Sequence, residues 1–318
     1  MRKTLLAIAV LAAAHTAAWV WATGQLRTGL DAWVAERQAE GWTVRHGATS
    51  RGGWPLAASL TVEQPDVTAP PGVAWTGERI VLRVALLRPD LLSVSPRGGQ
   101  SVRLGASDPV RVQAAALSVD VSLASPGPAT LLARDLGVEA AGLAFNAGLL
   151  TGEIAAPGAD VAFTLAAEAV TLPADRRWAL GEHVSSASVE GRLIGIAGAA
   201  GPRAWRDAGG AVDVRRFAIG WGPLGASGSA HGDLDAALQP EGDATVRLVG
   251  ADAALDAAAA DGAVTAQAAG AAKAVLGLLA AAQDSGGRVQ VPVSLRAGTL
   301  SAAGVPLARL PALETVLR

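Results

Sequence analysis

The chain contains no cysteine and no tyrosine, and lysine occurs only at Lys3 and Lys273. Without cysteine there is no disulfide, no thiol nucleophile and no thiolate metal site, and export would involve no redox step. Aromatics make up 4% of the residues and the net charge is −2, so no basic footprint invites nucleic acid. The 26 basic residues less the two lysines leave 24 arginines, a bias that points to a GC-rich coding sequence and not to a function. Long apolar runs are scarce as well. Beyond Ala22 none is long and uncharged enough to cross a bilayer, so a single span is expected. Strand–helix alternation is also lacking, which argues against a doubly wound parallel sheet.

What is present begins at the N-terminus. Met1-Arg2-Lys3 is basic, and Thr4 to Ala22 then runs without a charge for about the ~20 residues a bilayer span needs. His15 interrupts the run, and Trp19 and Trp21 close it where indole rings sit among headgroups. Residues 1–23 read as a retained signal anchor in the inner membrane, single-pass. The alternative is a cleaved signal peptide, for which Val20-Trp21-Ala22 is a loose cleavage match. Arg2 and Lys3 keep the N-terminus cytoplasmic, which sends the body into the periplasm. Residues 24–41 read as an amphipathic helix, with Leu26, Leu30, Trp33, Val34 and Arg37 on one face and Gly41 as its C-cap. That face packs on its own body or, alternatively, lies on the membrane.

Residues 42–318 read as a β-rich body with period-two strands. Examples are Leu117-Val119-Val121-Leu123, Val161-Phe163-Leu165, Ala244-Val246-Leu248 and Val289-Val291-Val293-Leu295. Turns are expected at Arg97-Gly98-Gly99, Ser125-Pro126-Gly127-Pro128, Ala156-Pro157-Gly158 and Gly286-Gly287. Pro292 predicts an edge strand. The alanine-rich stretch 251–283 reads as a helical insert broken near Asp261-Gly262, whereas Ala204-Trp205-Arg206-Asp207 reads as a turn. The fold class is therefore mainly β: an extended, curved antiparallel sheet, or two in tandem, with a soft boundary near 173–210. A weak echo between Gly53-Trp54-Pro55-Leu56 and Gly220-Trp221-Gly222-Pro223-Leu224 would fit an internal duplication.

Several chemical motifs fail on context. Gly220, Gly222 and Gly225 match the dinucleotide fingerprint, but Pro223 and the strand-like residues after it replace the helix that must hold a pyrophosphate. A glycine-rich hairpin bend is the better reading, and no cofactor is expected. Ser229, His231 and Asp233 share one strand face, where same-side neighbours lie about twice too far apart for a triad. His46, His183 and His231 offer no local ligand pair, so no metal is expected. Six further tryptophans, at 42, 54, 75, 178, 205 and 221, fit core plugs and sheet-end caps, or alternatively the wall of an apolar groove.

Leu30-Asp31-Ala32-Trp33, Glu40-Gly41-Trp42 and Arg51-Gly52-Gly53-Trp54-Pro55 carry a resemblance at the front of the chain. At the back it is carried by Trp221-Gly222-Pro223-Leu224, the strand 243–249, the alanine-rich insert, Val289-Gln290-Val291-Pro292-Val293, Gly298-Thr299-Leu300 and Pro306-Leu307-Ala308-Arg309-Leu310-Pro311. Together these resemble the bacterial domain-of-unknown-function family 2125 and, more loosely, the AsmA-like envelope proteins. The resemblance implies a membrane-tethered, β-rich periplasmic body whose groove-like sheet shepherds lipid. This chain is much shorter than the bridge-forming AsmA-like members.

The leading expectation is a non-enzymatic envelope protein that binds a lipid or acyl chain along an apolar sheet face. The residues expected to line it are Val119, Val121, Leu123, Val161, Phe163, Leu165, Trp221, Val289, Val291 and Val293. An assembly module binding other envelope proteins is the second expectation. A hydrolase gathering His183, His231 and Asp160 is the third. No catalytic residue is assigned.

Overall fold

The computed structural model describes residues 2–70, 72–105, 108–123, 127–140, 143–196, 199, 201–283 and 289–309. The expected turn residues Ser125, Pro126, Gly286 and Gly287, the boundary residue Gly198, and Leu310-Pro311 lie outside them. Strand makes up 53% of the chain, against about 20–25% in an average globular domain, and the fold is mainly β and antiparallel. Two compact units emerge, Met1–Arg134 and Asp135–Arg318. The division falls inside a strand; the whole 173–210 stretch belongs to the second unit.

The first unit begins with α1 (Arg2–Ala39). The anchor and the amphipathic segment thus form one helix. No proline separates them, and Gly24 and Gly29 each weaken a helix interior by only about 1 kcal/mol. Gly41, at φ +86°, ends the helix as expected: Trp42 N–H bonds Arg37 O and Gly41 N–H bonds Gln38 O, both at 3.0 Å. The strands are β1 (Thr43–Arg45), β2 (Thr49–Gly52), β3 (Ala57–Glu63), β4 (Asp66–Ala69), β5 (Val73–Ala85), β6 (Arg88–Leu104), β7 (Val110–Gln113), β8 (Ala116–Ser122) and the start of β9 (Ala129–Ala140).

Register stacks apolar side chains into rows, because directly opposed residues share a face. One row is Leu60–Leu82–Val94–Val119–Leu131 and another is Ala58–Val84–Leu92–Val121. Helix α1 packs along β3, where Leu60 is 1% exposed and the helix contributes the fully buried Thr23. Arg97-Gly98-Gly99 does not end a strand as expected. Gly98, at φ +77°, instead forms an irregularity within β6, and Glu78 accepts the Gly99 N–H at 2.9 Å.

In the second unit β10 (Leu143–Ala155), β11 (Val161–Thr171), β12 (His183–Ile194), α2 (Pro202–Asp207), β13 (Ala211–Trp221), β14 (Leu224–Leu234) and β15 (Pro240–Val249) follow the end of β9. They lead to α3 (Ala251–Ala260), α4 (Ala266–Gln283), β16 (Val289–Arg296), β17 (Thr299–Ala302) and β18 (Val305–Arg309). From β10 to β18 each strand pairs antiparallel with the next. The insert is two helices split at Asp261-Gly262, as its sequence predicts, and they pack on β14 and β16.

Two segments differ from the pattern their sequence predicts. Ala204–Asp207 belongs to a short helix, started by Pro202 in its first turn and held by buried Trp205, whose Nε1 donates to Ile194 O at 2.7 Å. Strand β16 is not an edge strand, since β15 pairs with it along Val289–Leu295 and β17 along Val293–Arg296. Pro292 lies just outside the β17 ladder, so its missing N–H is not demanded there.

An apolar groove along the first helix as candidate functional site

Helix α1 meets its unit from residue 15 onward; residues 2–14 are all exposed. Near the front, His15 Nε2 donates to Pro55 O at 2.6 Å and Trp19 Nε1 donates to Gly52 O at 3.1 Å. At the back, Gln38 Nε2 donates to Val44 O at 3.2 Å and the Arg37 guanidinium lies 5.6 Å from the Trp42 ring centre. Between these fixed ends lies a groove of about 500 Å³. Its helical wall is Leu26, Leu30, Trp33 and Val34 of the predicted stripe together with Gly29, while Arg37 of that stripe lies outside the lining. Its floor comes from the apolar rows, through Val62 of β3, Ile80 and Leu82 of β5, and Leu92 and Val94 of β6. Val67 and Trp75 extend it, and Gln25, Arg45 and His46 are its polar members. A volume of this size is typical of small-molecule sites.

The helical stripe was legible in the sequence, but its meeting with the β3, β5 and β6 faces was not. Of the ten expected lining residues, Leu123 lines the groove. Val119 and Val121 stand opposite Val94 and Leu92, on the same sheet face but outside the groove lining. The others belong to the second unit and form rows of their own. Phe163 and Val293 sit in Ile154–Phe163–Gly191–Val214–Ala230–Ala244–Val293, and Leu165 and Val291 in Gly152–Leu165–Val189–Phe217–Gly228–Val246–Val291. Val161 and Val289 stand two residues along from Phe163 and Val291, on the same face of their strands. Trp221 ends its strand, its Nε1 donating to Gly181 O at 2.7 Å and its ring meeting Trp178 edge-on at 6.0 Å. These residues span strands β11 to β16. The Phe163 and Phe217 rings lie against Gly191 and Gly228, which have no side chain to push them away.

The polar constellations stay apart. Ser229, His231 and Asp233 all point to solvent from β14, as expected of a wet strand face. Asp160, next to Val161, and His183 mark opposite ends of the β11–β12 ladder, roughly 30 Å apart at ~3.3 Å per residue. Asp160 accepts the Gly195 N–H at 3.0 Å, a structural role. Gly220, Gly222 and Gly225 form a hairpin bend in which Trp221 pairs with Leu224, with no helix to receive a phosphate. Among the described residues no group of His, Asp and Glu is arranged to hold a metal ion. Arg296 has its pKa raised by the hydrogen bond it donates to Asp243 at 2.6 Å and then by that carboxylate's charge, a surface ion pair.

No curated protein and no solved structure matches the chain. A family model does match, from Trp19, the residue that ties α1 to Gly52, through residue 311. That family is described as "Uncharacterized protein conserved in bacteria (DUF2125)". With residues 19–311 covered, the chain belongs to the DUF2125 family.

Proposed function

We propose that this protein is a non-enzymatic envelope protein, anchored in the inner membrane by α1, with its body in the periplasm and an acyl chain held in the α1 groove. The groove carries the reading. Carbon-rich walls on both helix and sheet leave an apolar chain in contact with protein instead of water, worth about 0.8 kcal/mol per buried CH₂. The same helix carries a stretch long and apolar enough to cross a membrane, exposed on every residue from 2 to 14. Arg2 and Lys3 ahead of it favour a cytoplasmic N-terminus. The bonds from His15 and Trp19 to the body support retention, since cleavage after Ala22 would remove both. The test is native mass spectrometry and lipid extraction on the full-length protein released from detergent. Phospholipid or fatty-acid adducts at one per chain are expected; a clean apo mass under conditions that preserve known lipid adducts would sink the reading.

A second reading, an assembly module for envelope proteins, draws on the helical insert. Leu278 of α4 is 73% exposed and Val275 44%, an apolar patch turned away from the sheet. A photo-crosslinking residue at Leu278 should then trap a defined partner in membranes. Recovery of uncrosslinked chain alone would remove this reading and leave the first in place.

A further inference from the structure

From the lengths and contacts along α1, we infer that the Gly52–Leu56 loop and the Leu86–Leu87 turn form an apolar edge that enters the outer half of the bilayer beside the span. The inference rests on α1 being retained and crossing the bilayer, as proposed above. A hydrocarbon core is about 30 Å thick. Ahead of the His15–Pro55 bond, the uncharged helix has residues 4 to 14, eleven residues, or about 16 Å at 1.5 Å per residue. Tilting the helix only shortens that reach. The remaining ~14 Å of core falls on the stretch of α1 that already carries the loop, so the loop must enter with it or the bilayer must thin by nearly half.

The side chains at that edge suit entry. Leu87 is 93% exposed, Leu56 73% and Trp54 58%, while Trp21 of the helix is 67% exposed. The Leu86 N–H bonds Leu56 O at 3.2 Å, so loop and turn advance together. Arg51 and Arg88, both exposed, flank these tips in sequence and mark the limits of the apolar edge.

Four carbonyls of the loop backbone already have donors. A loop can leave water only if its polar groups are already satisfied. Trp19 takes Gly52 O, the Ala57 N–H takes Gly53 O at 2.9 Å, His15 takes Pro55 O and Leu86 takes Leu56 O. Pro55 has no N–H to satisfy. His15, a polar interruption in the span, thereby donates to a carbonyl that lipid could not.

A cysteine-free chain permits a direct test. Single variants Leu11→Cys, Leu56→Cys, Leu87→Cys and Val73→Cys, all at exposed positions, are labelled with an environment-sensitive fluorophore. They are reconstituted full-length into phosphatidylethanolamine–phosphatidylglycerol vesicles containing a phospholipid quencher spin-labelled along its acyl chain. Labels at 11, 56 and 87 should emit to the blue and lose most of their fluorescence to the quencher. The label at 73, at the far end of β5 and about 40 Å away, should not. If 11 is in lipid while 56 and 87 stay in water, the membrane-entering edge is overturned and the anchor stands. If 11 is in water too, the anchor itself fails and the edge falls with it.

Discussion

Gly29→Leu is expected to lower acyl-chain affinity about a hundredfold while making the lipid-free protein more stable. Gly29 lines the groove from the α1 side, and a Cβ built on it meets nothing within 4 Å. A leucine there grows into the space the ligand would take. Displacing about four methylenes at ~0.8 kcal/mol each removes roughly 3 kcal/mol, and every ~1.4 kcal/mol is tenfold in affinity. Glycine in a helix interior costs about 1 kcal/mol relative to good helix formers, so the substitution should raise Tm by roughly 2–4 °C. Native mass spectrometry reads the first effect and a thermal melt of delipidated protein the second. Opposite signs are the signature: an unaltered lipid count with the raised Tm would separate this cavity from any ligand.

The second large effect lies in the other unit and concerns fold alone. Gly250 and Gly262 flank α3, at φ +70° and +76°. Alanine at either position pays the left-handed penalty of about 1–2 kcal/mol. At Gly262 that is the whole cost, since a Cβ there has open space. At Gly250 the Cβ would run into the carbonyl oxygen of Pro223, in the hairpin bend between β13 and β14. Backbone cannot step aside as a side chain can, and overpacking of this kind adds about 1–3 kcal/mol or more. Gly250→Ala should therefore lower Tm by about 10 °C and Gly262→Ala by about 4 °C, using roughly 2–4 °C per kcal/mol for a unit of this size. Equal losses in thermal melts would show that the contact with Pro223 does not hold the insert.

Much was legible from short-range pattern. Period-two alternation in Val119-Val121, Val161-Phe163-Leu165 and Val289-Val291-Val293 marks strands with one apolar face, because side chains alternate across a pleat whatever the partner strand. The helical stripe Leu26-Leu30-Trp33-Val34 and the cap at Gly41 were equally visible, since helix periodicity and the left-handed freedom of glycine are local properties. The break at Asp261-Gly262 belongs with them.

Local pattern misled where a neighbour decided the outcome. Arg97-Gly98-Gly99 carries turn chemistry, yet Glu78 across the ladder holds it inside a strand. Pro292 has edge chemistry, yet β17 covers the residues just after it. Ala204–Asp207 lacks the length of a stable isolated helix, and Trp205 anchors it through Ile194.

By itself, then, the sequence determined the β class, the single apolar N-terminal stretch, the one-sided strands and the absence of thiol chemistry, all of which follow from composition and period. Only the tertiary structure decided which apolar faces meet. Val119 and Val121 share a sheet face with the α1 groove's floor residues Val94 and Leu92, whereas Phe163 and Val291, alike in pattern, belong to rows of a different unit. It also decided that His15, which looks like a flaw in a membrane span, has a loop carbonyl 40 residues away to bond. Register and long-range hydrogen bonds depend on the partner strand or loop, and no local window of residues contains that partner.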